Sequence, residues 1–155
     1  MAGRGVTSLR LLHGVNLDML GRRDPAHYGA LTLSELERQV ARHAEARGFT
    51  VLPFQTNFEG EMVEELHQIA VEGAGAVIIN PGAWTHYSYA LRDALEIVAA
   101  PVAEVHLSDV SGREEFRRHS VIADIVAVHV SGEGVAGYFK ACDALADMIG
   151  LGVSR

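Results

Sequence analysis

Lysine is nearly absent. The 155-residue chain has one, Lys140, against twelve arginines, so any reaction through an amine has a single candidate. Cysteine is equally scarce. Cys142 alone cannot form an internal disulfide, which points to a reducing cytoplasm. Its place in a helical apolar pattern reads as buried and inert. No apolar run approaches the ~20 residues of a membrane span, and residues 1–12 lack the long apolar stretch of a signal peptide. No membrane association is expected. Basic residues form no run, and 20 acidic against 13 basic side chains give a net charge of −7. Phosphate contacts need clustered Lys or Arg, so no nucleic-acid partner is expected. Eight histidines occur, yet there is no HExxH and no close His/Cys cluster. His43, His67 and His129 read as scattered helix or strand positions, and no metal is expected.

What the chain does have is alternation. The apolar fraction of 48% suits a folded globular protein, and the length predicts one domain over residues 1–155. Nearly continuous apolar runs at 9–12, 50–54, 76–80, 101–106 and 125–130 read as parallel strands covered on both faces. Helical periodicity falls between them, at 33–47, 61–71, 88–98 and 135–149. Thr32 with Glu35 is a capping-box signature, and Gly48 supplies a stop. Strand–helix alternation at this spacing predicts an α/β fold: a flavodoxin-like, doubly wound, five-stranded parallel sheet in three α/β/α layers. The stretch 18–31 is longer than most connections and reads as a lid or as a plain surface excursion. Gly132-Glu-Gly134-Val-Ala-Gly137 matches the dinucleotide fingerprint in letters. No following strand with an acidic residue exists, and Glu133 would repel a pyrophosphate, so a tight βα turn is the better reading.

Polar residues cluster at strand ends. Asn16, Asn57, Asn80 and His106 each follow or close an apolar run, and ligands of open parallel sheets bind beyond the carboxyl ends of the strands. Alternation puts Glu104 and His106 on one side of a strand. A carboxylate beside an imidazole orients it and favours its protonated form, as a general acid requires. By itself the pair serves equally well as a satisfied structural histidine.

Seven motifs run in one order: Gly14-Val-Asn16-Leu, Leu20-Gly-Arg-Arg23-Asp-Pro-Ala-His-Tyr28-Gly29, Gln55-Thr-Asn57-Phe-Glu-Gly60, Asn80-Pro-Gly-Ala-Trp-Thr-His86-Tyr-Ser88, Ala90-Leu-Arg-Asp93-Ala, Glu104-Val-His106-Leu-Ser108 and Arg113-Glu-Glu-Phe-Arg117-Arg-His-Ser120. In this order they closely resemble the type II 3-dehydroquinate dehydratases of the shikimate and quinate pathways. The resemblance implies cofactor-free elimination of water from 3-dehydroquinate to 3-dehydroshikimate. It also implies a homo-oligomer, a dodecamer built as a tetramer of trimers. Tyr28 matches the lid tyrosine that takes the proton beside the ketone, and Arg23 the arginine that stabilises the tyrosinate. Asn16 matches the residue that holds a water against the enolate. His106 matches the acid on the departing hydroxyl, with Glu104 behind it. Asn80, His86, Arg117 and the backbone at Leu107 and Ser108 match positions that hold the substrate. Asp93 matches a residue lent by a neighbouring subunit.

Elementary chemistry agrees with those roles. A free tyrosine, with a pKa near 10, is a poor base at neutral pH, and Arg23 would favour its anion. An enolate needs a preorganised donor. An anionic small molecule approaching an acidic chain needs local positive charge, available from Arg23, Arg113 and Arg117. Departures from the family pattern sit next to the site: His13 and Val15 where Asn and Pro are usual, Asp109, Ser111 and Gly112 for Asn, His and Ala, and Glu133 for an apolar residue. They motivate two rival readings, a paralogue acting on a related hydroxylated ring acid and a silent ligand-binding or assembly module.

Overall fold

Five short strands form one parallel sheet in the computed structural model, which describes residues 6–28, 30–110 and 112–152 and all their side chains but those of His27 and Tyr28. They are β1 (Thr7–His13), β2 (Phe49–Gln55), β3 (Ala76–Asn80), β4 (Val102–His106) and β5 (Val128–Ser131). Their order is β2-β1-β3-β4-β5, and every neighbouring pair is parallel. This is the flavodoxin-like order. Winding reverses between β1 and β3, and a crevice opens beyond their carboxyl ends.

The helices are α1 (Pro25–Tyr28), α2 (Leu33–Ala46), α3 (Glu59–Glu72), α4 (Tyr89–Ile97) and α5 (Val135–Met148). Strand alternation sorts the core into two halves. Leu9, Leu11, Ala76, Ile78, Ala103 and Val105 pack beneath α2 and α5. Leu12, Val77, Ile79 and Val102 pack beneath α3 and α4. All five residues of β3 and all five of β4 are buried, which explains their largely apolar spelling, with Asn80, Glu104 and His106 as the polar exceptions. β2 pairs with β1 alone, so Pro53 stands on an edge strand, where a missing N–H costs little.

Local signals operate as expected at helix ends. Thr32 Oγ1 accepts from the Glu35 N–H at 3.2 Å, and Glu35 Oε2 accepts from the Thr32 N–H at 2.9 Å. Ser88 Oγ accepts from the Leu91 N–H at 3.0 Å and starts α4. Gly48 takes φ +97° after α2.

Three expectations need adjusting. The last strand begins at Val128, not at residue 125. Ile125 instead donates its N–H back to the Ile122 carbonyl at 3.0 Å, and Arg92 braces that turn through the Val121 carbonyl and Asp124. β4 begins at Val102, one residue late, because Pro101 has no N–H to donate. The helix expected at 61–71 begins earlier, at Glu59; the connection 18–31 carries part of a 3-10 turn at Leu17–Met19 and the short α1.

Candidate active site

A cleft lies where β1, β3 and β4 end. It is lined by Asn16, Arg23, Asn80, His86, His106, Leu107, Ser108, Arg113 and Arg117, among others. It holds about 620 Å³ of space counting its open mouth. Eight of the eleven residues singled out from sequence line it directly.

Close backbone approach makes this junction. A Cβ on Gly14 would sit 2.3 Å from the Pro81 carbonyl oxygen, so the ends of β1 and β3 meet only because residue 14 is glycine. The chain then turns through Asn16 at φ 68°, the only non-glycine residue with positive φ among those described. Asparagine tolerates that conformation better than most residues. The Asn16 N–H donates to Asn57 Oδ1 at 2.8 Å, and Asn57 Nδ2 donates to Asp18 Oδ2 at 3.1 Å. Asn57 is therefore a brace outside the cleft lining, although it too follows a strand, two residues after the end of β2.

Asn80 is held at both ends of its amide. Oδ1 accepts from the Gly82 N–H at 3.1 Å, and Nδ2 donates to the Tyr138 hydroxyl at 3.2 Å. Tyr138 is fully buried in α5, and burial pushes its phenol well above the usual range. It is a fixed neutral hydrogen-bond partner for Asn80. Sequence periodicity marks Tyr138 only as a core position, so this contact is legible in three dimensions alone.

His106 and Glu104 form a buried dyad. His106 Nε2 lies 2.6 Å from Glu104 Oε2. Thr85 Oγ1 donates to Oε2 at 2.5 Å, and Ser120 Oγ lies 2.8 Å from Oε1. Burial opposes ionisation of Glu104. The hydrogen bond and charge of His106, with the Thr85 and Ser120 hydroxyls, outweigh it and hold the carboxyl below its ordinary value. The dyad is thus a carboxylate facing an imidazole in low dielectric, where their attraction is least screened. Thr85 and Ser120 lie within recognisable motifs, but no spacing rule brings residues 85, 104 and 120 together.

The far side of the cleft is cationic. Arg113 and Arg117 line it, and Arg117 Nε donates to Glu114 Oε2 at 2.7 Å. His86 Nδ1 donates to the His119 carbonyl at 2.6 Å. Partial burial lowers the His86 pKa from its ordinary value, and the charges of His106 and Arg117 push the same way against that hydrogen bond. His86 therefore presents neutral Nε2 at neutral pH. The loop at Leu107 and Ser108 is tied from behind: Gly132 N–H to His106 O at 3.3 Å, Gly134 N–H to Leu107 O at 3.1 Å, and Ser131 Oγ to Ser108 O at 3.2 Å. Gly132, at φ +80°, packs where a Cβ would meet Asp109 at 2.9 Å. The glycine-rich turn is a clamp on the cleft loop, in keeping with a βα-turn role.

Other sequence candidates fall elsewhere. Asp93 is exposed on α4 and does not line the cleft of its own chain. The Tyr28 side chain and Ser111 lie outside the described residues. Lys140 is exposed and pairs with Glu133 at 2.5 Å. Cys142 is buried, which pushes its thiol up to about 12. His13 turns away from the cleft, with Nε2 3.2 Å from Glu37 Oε1 of α2. His129 does not stand apart, as it does in the sequence. Pairing of β4 with β5 sets it opposite Glu104, and its Nε2 lies 3.6 Å from Glu104 Oε1.

Known proteins carry the same pattern. A model of the family described as dehydroquinase class II matches residues 7–146. The 3-dehydroquinate dehydratase of Pelobacter propionicus is 50% identical over 142 residues, spanning 92% of this chain and 95% of that protein. That of Syntrophotalea carbinolica is 50% identical over 139 residues, 90% of this chain and 94% of its own. The crystal structure of type II dehydroquinase from Propionibacterium acnes superposes with a TM-score of 0.87 at 40% identity, covering 91% of this chain and 97% of that one. The chain belongs to the class II dehydroquinase family.

Proposed function

We infer that this protein is a 3-dehydroquinate dehydratase, a hydro-lyase that removes water from 3-dehydroquinate to give 3-dehydroshikimate. The observation that carries the reading is the His106–Glu104 dyad opening on a cleft lined by Arg23, Arg113 and Arg117. An acid held ready in a cationic pocket suits expulsion of a hydroxyl from an anionic ring acid.

The residues divide the work as follows. Tyr28, deprotonated under the influence of Arg23, removes the proton beside the ketone. The resulting enolate is held by a water on Asn16. His106, with Nε2 committed to Glu104, delivers a proton from Nδ1 to the departing hydroxyl, which leaves as water. Glu104 acts through His106 and is a positioning residue. Neutral His86 and the backbone of Leu107 and Ser108 receive hydroxyl and carboxylate oxygens. Arg117 and Arg113 supply the countercharge. Asn80, oriented by Tyr138 and Gly82, fixes the floor. The segment 18–31 closes over the substrate as a lid.

Asp93, exposed on α4, serves the cleft of a neighbouring subunit in a symmetric homo-oligomer, a dodecamer in the family arrangement. The absence of any helix long and apolar enough to cross a membrane among the described residues suits a cytoplasmic enzyme. The acid dyad and its hydroxyl cradle favour catalysis over silent ligand binding.

The test is to add 3-dehydroquinate and follow ultraviolet absorbance of the conjugated enone, with borohydride present in a parallel reaction. The enone should form in the first reaction, and protein recovered from the second and freed of borohydride should keep the activity of untreated protein, since borohydride consumes free ketone but finds no imine to fix. No enone, or borohydride inactivation with substrate fixed to Lys140, would overturn the reading.

A further inference from the structure

The Glu104 carboxylate has two imidazoles, not one. His106 Nε2 lies 2.6 Å from Oε2, and His129 Nε2 lies 3.6 Å from Oε1. One ligand atom from each of the three side chains falls within 4.8 Å of the others. The two rings stand 6.1 Å apart and are inclined by 46°. Elimination as derived above uses only His106. His129, on the edge strand β5, has no part in it.

Donor chemistry says what would fit between them. Two imidazoles and one carboxylate are the ligand set of an open zinc site, with a fourth position left to water. Magnesium and calcium prefer all-oxygen shells and are poorly served here. Zinc–ligand bonds of about 2.0–2.2 Å at tetrahedral angles separate ligand atoms by roughly 3.3 Å. The observed spacings straddle that value. The 3.6 Å spacing closes through His129, whose side chain is 39% exposed while that of Glu104 is fully buried, and the 2.6 Å contact of His106 with Glu104 widens as the ion replaces the hydrogen between them. That exposed ring also gives the ion a route in from the sheet edge. Glu104 is oriented by Thr85 and Ser120, the kind of outer support that metal carboxylates need.

We propose that Glu104, His106 and His129 form an inhibitory site for a late first-row divalent cation, with Zn²⁺ as its best occupant. The ion takes the lone pair of His106 Nε2, and any proton held there passes to solvent. A metal-bound imidazole can no longer cycle between imidazolium and neutral ring. Its remaining Nδ1–H is a much weaker acid than imidazolium, so the departing hydroxyl goes unprotonated and turnover stops. The inhibitory consequence rests on the dehydratase reading; the binding site does not.

Two readouts keep these apart. Chelator-treated full-length protein, wild type and His129→Gln, is titrated with Zn²⁺ by calorimetry and with Co²⁺ by visible absorbance. Turnover of 3-dehydroquinate is measured across the same Zn²⁺ range. One ion per chain should bind wild type, Co²⁺ should show the intense bands of a low-coordinate site, and inhibition should follow occupancy and reverse with chelator. His129→Gln should keep metal-free turnover within about twofold and should bind Zn²⁺ more weakly by at least the ~10–100-fold that loss of one supporting partner costs. Wild type that binds no ion, or a variant that binds and is inhibited as strongly as wild type, would overturn the site. A metal-free wild type inactive on 3-dehydroquinate would overturn the function instead, while the Co²⁺ titration still decided the site.

Discussion

The two walls of the cleft are built in different ways. The wall at the ends of β3 and β4 is deep: Asn80, Glu104 and His106 are buried, the Asn80 amide and the Glu104 carboxylate are engaged by partners from other elements, and the His106 imidazole by Glu104 of its own strand. The wall formed by α1 and the turn before it is shallow. Arg22, Asp24, Pro25 and Ala26 are exposed, and Arg23 is only half-buried. Folding alone fixes the proposed proton donor, His106. The proposed base sits on a short helix of four residues, Pro25–Tyr28, whose described side chains, Pro25 and Ala26, are exposed. Substitutions on the deep wall should therefore cost stability as well as rate, and those on the shallow wall rate alone.

The largest effects are expected where proton transfer itself is lost. Tyr28→Phe should lower kcat by about 10²–10⁴, the usual worth of a general base, with the melting temperature unchanged. Near wild-type turnover would remove Tyr28 from that role. His106→Ala should lose a comparable factor and also some stability, because it strips a hydrogen bond from buried Glu104 at a cost of about 1–3 kcal/mol.

Glu104→Gln should cost less in kcat than His106→Ala, on the order of tenfold, since the acid remains and only its orientation and charge suffer. It should also change acid unfolding. The folded-state pKa of Glu104 is lowered, so its stabilising contribution is complete above the ordinary value of 4.5 and is lost as pH falls through the lower folded value. Urea midpoints compared across that acid range should converge for wild type and Glu104→Gln. A constant gap would mean that ionisation of Glu104 carries no stability.

Arg23→Ala on the shallow wall should lose rate most at low pH and recover partly as pH rises, because tyrosinate then forms without help. A loss that is flat with pH would make Arg23 a positioning residue for the substrate. Lys140→Arg should change nothing beyond about twofold, since an exposed pair with Glu133 contributes little.

Strand alternation made the deep wall readable in advance. Residues 104 and 106 share a face because the strand period is two, and both end a run with no polar interruption other than Glu104 itself. Three positions show where such reading stops. His129 reaches Glu104 only through β4–β5 register, which local pattern does not encode. Tyr138 meets Asn80 across 58 residues, and Thr85 and Ser120 converge on one carboxylate from separate loops. Asn57 has the spelling of a site residue and the job of a brace. Apolar Ile125 and Val126 spell the start of a strand, yet they pack as a turn against the core beneath α4, and β5 begins at Val128.

Division of labour between the walls is tested most directly by isotope exchange. Proton removal and hydroxyl loss are separate steps in an enolate mechanism, so a protein with its base but no acid can still exchange the hydrogen beside the ketone. In D₂O, His106→Ala should introduce deuterium there in recovered 3-dehydroquinate, followed by proton NMR, while eliminating little water. Tyr28→Phe should do neither. Deuterium entering at equal rates in both variants, or only in Tyr28→Phe, would contradict a loop-borne base facing a strand-borne acid.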